Sequence, residues 1–189
     1  MKKHICVFAS GNGSNTEVLI KYFNKSDEAK VALVVSNNAN ANVVLKAKNL
    51  GVNTFVFNKE ELKSSLVLNK LKELEIDFIV LAGFLLLIPN NIIKEYNKRI
   101  VNVHPSLLPS FGGKGMYGSN VHKAVLQSGV SKSGITIHFV NEKYDDGDIY
   151  FQDVCNVSAE DNIKSLAKKI QTLEHKHLPV VVKKIINSL

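Results

Sequence analysis

His4-Ile5-Cys6-Val7-Phe8-Ala9-Ser10-Gly11-Asn12-Gly13-Ser14-Asn15 opens the chain with an apolar run, a glycine-rich turn and the start of an amphipathic segment. Six β-prone residues that end in a tight turn read as a buried strand over 4–9, then a loop over 10–14 and a helix over 15–23. Glycines let the backbone turn sharply and let a ligand approach exposed amides. The positive end of the following helix favours an anion there. The turn has three readings: a helix-capping turn without ligand, a cradle for one phosphate, or a nicotinamide-dinucleotide site. The full dinucleotide pattern would place Gly or Ala where Thr16 stands and an acid after the second strand, where Ser36-Asn37-Asn38 stands instead. No Gly-Lys-Ser/Thr follows, so the turn is not a Walker A loop.

Outward from this unit the periodicity keeps alternating. Strands are expected at 30–35, 53–57, 77–81 and 100–104, with a helix at 41–50 that Gly51 stops. Asn58 and Glu61 form a capping-box pattern that opens a helix carrying Leu62, Leu66, Leu71 and Leu74 toward the core. Pro89 starts a further helix, to about Tyr96. A loop over 105–118 leads to a helix at 119–127. Strands at 135–140 and 149–157 then form a hairpin across an acidic turn, and a final helix runs from Ala159 to the C-terminus, interrupted near Pro179. Strand–helix alternation over the first hundred residues argues for an α/β fold: one doubly wound, mostly parallel, Rossmann-like sheet with a C-terminal antiparallel hairpin. With 189 residues, no internal repeat and no dividing linker, residues 1–189 are expected to form a single domain.

A 45% hydrophobic and 22% charged composition is ordinary for a globular protein. The net charge of +7 suits nucleic acid, acidic membranes or small anionic substrates. The lysines are scattered over helices and Arg99 is the only arginine, so small anions are favoured and no nucleic-acid partner is expected. The N-terminal apolar run is too short for a signal h-region, and Phe78–Ile88 is too short to span a bilayer. No membrane association is expected. Two cysteines, Cys6 and Cys155, fall inside expected strands and read as free thiols of a cytoplasmic protein.

Asn102-Val103-His104-Pro105-Ser106-Leu107-Leu108-Pro109 carries the chemistry. Residues two apart in a strand share a face, so Asn102 and His104 project side by side while Val101 and Val103 face the other way. Parallel strands are usually apolar on both faces, and ligands of open α/β sheets bind at strand carboxyl ends. An imidazole beside an amide donor there suits acyl or formyl transfer through a tetrahedral intermediate. Alone, His104 reads as a structural histidine. Tyr144-Asp145-Asp146-Gly147-Asp148 offers carboxylates that could raise the pKa of His104 and fix its tautomer, or it is simply a hairpin turn. Tyr144 stands where a calcium loop needs Asp or Asn. No serine nucleophile elbow is present, and no Cys–His cluster or His175-Lys176-His177 spacing suggests a metal, so none is expected.

These segments resemble the glycinamide ribonucleotide (phosphoribosylglycinamide) formyltransferases, folate-dependent enzymes of purine biosynthesis, over nearly the whole chain. The resemblance rests on Phe8–Asn15, Val80-Leu81-Ala82-Gly83-Phe84, Asn102–Pro109, His138-Phe139-Val140 followed by Asp145, and Gln171-Thr172-Leu173-Glu174-His175. It implies that Gly11, Asn12, Gly13, Ser14 and Asn15 hold the substrate 5′-phosphate and that Glu174 contacts its ribose. It also implies Asn102, His104 and Asp145 as the catalytic trio. Gly83, Phe84, Leu85, Leu86, Leu87, Val140 and Asn141 would border the pocket of 10-formyltetrahydrofolate, the co-substrate. The resemblance leaves a monomer or a homodimer open. Many members carry arginine where Leu86 stands. The 111–118 loop is also several residues longer than the common form, either as a surface insertion or as a lid in which Lys114 meets an anionic ligand. The tRNA formyltransferases and formyltetrahydrofolate deformylases share the Asn-x-His core but are expected to carry an extra domain. A non-catalytic nucleotide-binding module is the rival from another class.

Overall fold

A computed structural model describes residues 2–189. Its elements run β1 (Lys3–Phe8), α1 (Ser14–Phe23), β2 (Ala29–Ser36), α2 (Asn42–Asn49), β3 (Asn53–Val56), α3 (Lys59–Lys63), α4 (Leu66–Glu73), β4 (Phe78–Leu81), α5 (Asn90–Glu95), β5 (Ile100–His104), α6 (Ser119–Ser128), β6 (Lys132–Phe139), β7 (Ile149–Asn156) and α7 (Ile163–Ile186). They build a seven-stranded sheet in the order β3-β2-β1-β4-β5-β6-β7. Pairing is parallel from β3 through β5 and antiparallel for β5/β6 and β6/β7. After β3 the chain crosses to the other side of β1, so the strand order reverses between β1 and β4, where open α/β sheets place a ligand crevice.

Both faces of the parallel part are covered, which is why its strands are apolar throughout. On one face Ile5, Val7, Val101 and Val103 meet Leu19 and Phe23 of α1, Val43 of α2, and Val182 and Ile185 of α7. On the other, Cys6, Phe8, Ile79 and Ile100 meet Leu62, Leu71 and Ile92. A third cluster joins Val121 and Val125 of α6 to Ile135 and to Leu166 and Ile170 of α7.

Two sequence expectations are corrected. The helix expected from Asn58 through Leu74 is two helices. The Asn58/Glu61 capping box forms, but the Ser64 hydroxyl donates to the Glu61 carbonyl at 2.7 Å and accepts from Leu66 N–H at 3.1 Å. That side chain takes over backbone partners and ends the first helix. Leu66 is left exposed. The C-terminal helix is not interrupted at Pro179. Proline costs roughly 3 kcal/mol or more inside a helix, but Leu178, Val181, Val182, Ile185 and Ile186 of this helix are buried in the first cluster. Apolar burial at about 1.5–3 kcal/mol per large side chain outweighs that cost.

Candidate active site

The glycine turn lies between β1 and α1, and its shape is set by close packing. Gly13 has φ 74, and a Cβ there would lie 2.5 Å from Cγ2 of Val43. The turn is tied on every side. Val43 N–H donates to the Gly11 carbonyl at 3.1 Å, Ser10 N–H to the Gly83 carbonyl at 3.0 Å, and Ser10 Oγ to Asn37 Oδ1 at 2.6 Å. Two residues of α7 reach the start of α1: Gln171 Nε2 donates to Ser14 Oγ at 3.1 Å and Asn15 Nδ2 to Glu174 Oε2 at 2.9 Å. Burial raises the Glu174 carboxyl pKa, against the opposing hydrogen bond from Asn15 and the charge of His104. Thr16 is buried where close helix–strand packing in a dinucleotide fold would call for Gly or Ala.

Across the switch point, β5 ends in Asn102 and His104. The alternation expected for this strand holds: Val101 and Val103 enter one core cluster while Asn102 and His104 face the opposite side. Register pairs His104 with Thr136 and Asn102 with His138. Thr136 is buried and fixes the chain beyond His104. Its hydroxyl donates to the Ser106 carbonyl at 2.7 Å and accepts from Leu108 N–H at 3.0 Å and Gln152 Nε2 at 2.8 Å.

Asp145 comes to the same place from the turn between β6 and β7, with φ 54. Its Oδ1 lies 3.4 Å from His104 Nδ1, 3.7 Å from His138 Nε2 and 3.2 Å from the Asn102 amide nitrogen. Its Oδ2 accepts from Gly113 N–H at 2.9 Å. Burial alone would push this carboxyl up. The contact and charge of His104, with the Gly113 amide, reverse that and hold it well below the usual carboxylate range. Asp146 is turned away, pairing with Asn141 Nδ2 at 3.1 Å and Lys143 at 3.6 Å. Of the acids in that turn, Asp145 is the one brought to His104.

His104 Nε2 lies 2.8 Å from the Phe111 carbonyl, so the 111–118 loop folds over the imidazole rather than standing off it. Both partners of the ring, a carbonyl and a carboxylate, are acceptors. His138 Nδ1 lies 2.8 Å from the Phe139 carbonyl, which makes Nδ1 the protonated nitrogen and leaves Nε2 to accept from Asn102 at 3.1 Å.

These groups share one cavity of about 710 Å³, lined by Ser10–Asn15, Gly83, Phe84, Leu85, Asn102, His104, Gly113–Gly118, His122, Asp145, Gln171 and Glu174. A smaller cavity of about 50 Å³ adjoins it at Leu86, Leu87, Val140, His138 and Tyr144. Gly83 through Leu87 and Val140 therefore lie on cavity walls. Asn141 is on neither wall; it holds the acidic turn through Asp146 and the Lys143 amide. Residues that sequence reasoning left without a role are His138, Gln171 and His122. His138 is a buried polar residue two positions beyond buried Thr136 on the same face of β6, a same-face pair like the one that singled out Asn102 and His104. Gln171 sits three residues before Glu174, on the same helix face. Among the described residues no group of three or more His, Cys, Asp or Glu could hold a metal ion, and no helix is long and apolar enough to cross a membrane.

The chain as a whole is similar to known proteins. Residues 3–182 match the family described as Formyl transferase. The chain is 42% identical over 182 residues to the chloroplastic phosphoribosylglycinamide formyltransferase of Arabidopsis thaliana, covering 93% of this chain but only 62% of that protein. It is 32% identical over 190 residues to phosphoribosylglycinamide formyltransferase of Bacillus subtilis, covering 97% of this chain and 95% of that one. Among solved structures, the phosphoribosylglycinamide formyltransferase of Anaplasma phagocytophilum superposes with a TM-score of 0.91 at 35% identity, covering 99% of this chain and 88% of the other.

Proposed function

Because the chain belongs to the formyl transferase family, we propose that it transfers the formyl group of 10-formyltetrahydrofolate to the amine of glycinamide ribonucleotide, a step of purine biosynthesis. The observation that carries this reading is one cavity with an anion-favouring helix terminus at one end and the Asn102–His104–Asp145 cluster at the other. A phosphate bound at the Gly11–Asn15 turn would leave the rest of the nucleotide to reach toward β5. We read residues 1–189 as one catalytic domain on the continuity of the sheet, and place it in the cytoplasm, where two unpaired thiols persist.

The chemistry follows from the donors. Attack of the amine on the formyl carbon creates a tetrahedral oxyanion. Asn102 Nδ2–H and a His104 ring N–H are the donors available to it. A positioned donor of this kind contributes roughly 10²–10³-fold. In the structure each donor already has a protein acceptor: Asp145 and His138 for Asn102, Phe111 for His104. The oxyanion takes over one of these places, so the donors are presented without waiting for side chains to find the site. The amine must lose one proton and the departing N10 of the folate must gain one. Asp145, held ionised, is too weak a base to keep that proton; it orients His104, and the proton lost by the amine passes to N10 through water held beside the two side chains. Gln171 and Ser14 frame the phosphate, and Glu174, held by Asn15, meets the ribose. The wall formed by Phe84, Leu86, Leu87 and Val140 is apolar, as a flat pterin requires.

The test is to mix the protein with glycinamide ribonucleotide and 10-formyltetrahydrofolate and follow formylated nucleotide and free tetrahydrofolate together. Equal amounts of both products are expected. No product, or undiminished activity in His104→Ala, would overturn the assignment.

A further inference from the structure

The proposed reaction leaves one charged side chain on the cavity wall without a task. Lys114 lies on the loop that follows β5 and is the only lysine or arginine among the residues lining the 710 Å³ cavity. It forms no ion pair among the described residues, whereas Lys143 near the smaller cavity is 3.6 Å from Asp146. The remaining formal charges on the wall are the carboxylates of Asp145 and Glu174 and whatever His104 carries. The glycine turn contributes only neutral donors and a helix terminus worth about half a unit charge. A phosphate dianion at the glycine turn therefore shares the cavity with two carboxyl groups, and Lys114 is the one permanent cation among the lining residues.

The backbone around Lys114 is built rather than incidental. Met116 N–H donates to the Gly113 carbonyl at 3.0 Å, so Lys114 and Gly115 occupy the two central positions of a turn. Gly115 has φ 88, as the second central position of a type II turn demands. One residue before Lys114, Gly113 N–H is held by the Asp145 carboxylate at 2.9 Å. A second polar group on the same wall also lacks a protein partner. His122, 7% exposed at the start of α6, has its Nδ1 buried and unpaired. This wall presents polar groups that nothing in the protein satisfies.

We propose that Lys114 is a specificity residue for the phosphate of the ribonucleotide substrate. It supplies the cation that the glycine turn lacks, and its attachment through Gly113 to Asp145 ties phosphate capture to the placement of the carboxylate that orients His104. The proposal rests on the formyl-transfer reading and deepens it.

The experiment uses the full chain and its Lys114→Met and Lys114→Arg variants, with each substrate varied in steady-state kinetics. Glycinamide ribonucleotide is also titrated calorimetrically into each protein without folate. Hydrogen bonds to charged groups of this strength predict a rise of about 10–100-fold in both KM and Kd for glycinamide ribonucleotide in Lys114→Met. The KM for 10-formyltetrahydrofolate stays unchanged, and Lys114→Arg recovers most of the loss. A lower salt sensitivity of nucleotide binding in Lys114→Met is expected as well. Unchanged nucleotide Kd overturns the proposal. So does a rise in the folate KM alone, which would assign Lys114 to the folate carboxylates. If the wild-type protein binds the nucleotide but forms no product, the reaction reading fails while the titration still decides on Lys114.

Discussion

Nδ1 of His104 faces Oδ1 of Asp145 at 3.4 Å while its Nε2 meets the Phe111 carbonyl at 2.8 Å, so one ring lies between two acceptors. Each ring nitrogen therefore has an acceptor beside it. The two residues that present these acceptors, Phe111 at φ 58 and Asp145 at φ 54, both adopt left-handed backbone that costs a non-glycine residue about 1–2 kcal/mol. The chain bends against its preference at the two points that grip His104. Such strain persists only where surrounding contacts over-determine it. Here those contacts are the Thr136 network below the histidine and the Gly113 amide on Asp145.

Asp145→Asn keeps the shape of the side chain and removes its charge. Loss of acid–base help of this kind predicts a fall in kcat/KM of roughly 10²–10⁴-fold. Asp146→Asn, whose carboxylate pairs with Asn141 and Lys143 at the surface, is expected to stay within about threefold of wild type, as exposed ion pairs contribute little. Steady-state kinetics of the two variants side by side decides which acid serves His104. Equal losses in both would remove Asp145 from its role.

The depressed pKa of Asp145 also makes a statement about stability. The folded state binds the proton on this group less readily than the unfolded chain, whose aspartates titrate near about 3.9. Its contribution is therefore complete above about pH 5 and is lost as the pH falls through the unfolded value toward the folded one. Urea unfolding of wild type and Asp145→Asn at a series of pH values should give a constant difference from about pH 5 to 7 that changes against wild type below about pH 4. Parallel acid profiles would contradict the assignment.

Much of this site could be read before the structure, because local signals carry it. β5 ends where the apolar run meets Asn102 and His104, and the glycine turn announces the start of α1. What could not be read depends on register and on competition between close alternatives. His138 reaches Asn102 only because β6 pairs antiparallel with β5 in a register that no local pattern specifies. Gln171 meets Ser14 across 157 residues. Ser64 ends a helix by a hydroxyl exchange worth about 1 kcal/mol, and Pro179 is tolerated because tertiary burial overrides propensity.

The two cysteines should differ in reactivity. Cys6 is fully buried in β1 and its thiol is raised well above its ordinary pKa by burial. Cys155 on β7 is partly exposed, and burial raises its pKa against the nearby Lys169 charge. A disulfide reagent at pH 8 is expected to modify Cys155 slowly in the native protein and Cys6 only after denaturation. Two equally fast thiols would mean that β1 is not the closed central strand described.

Gly147→Ala tests how the acidic turn is held without touching a reacting group. A Cβ at position 147 would lie 1.8 Å from the Phe139 carbonyl oxygen, a backbone atom that cannot swing aside. The same stretch is closed by Phe139 N–H donating to the Asp148 carbonyl at 2.9 Å, so the turn must move as a piece. Asp145 lies two residues back, and a shift of even 1 Å would part its carboxylate from His104, Asn102 and Gly113 together. Overpacking of this kind costs about 1–3 kcal/mol, and misplacement of reacting groups by about 1 Å can cost about 10²-fold in rate. The expected result is a lower Tm with kcat reduced by about that factor even at temperatures where the variant is fully folded by circular dichroism. Full activity in the folded variant would show that Asp145 does not depend on the close approach of Gly147 to Phe139.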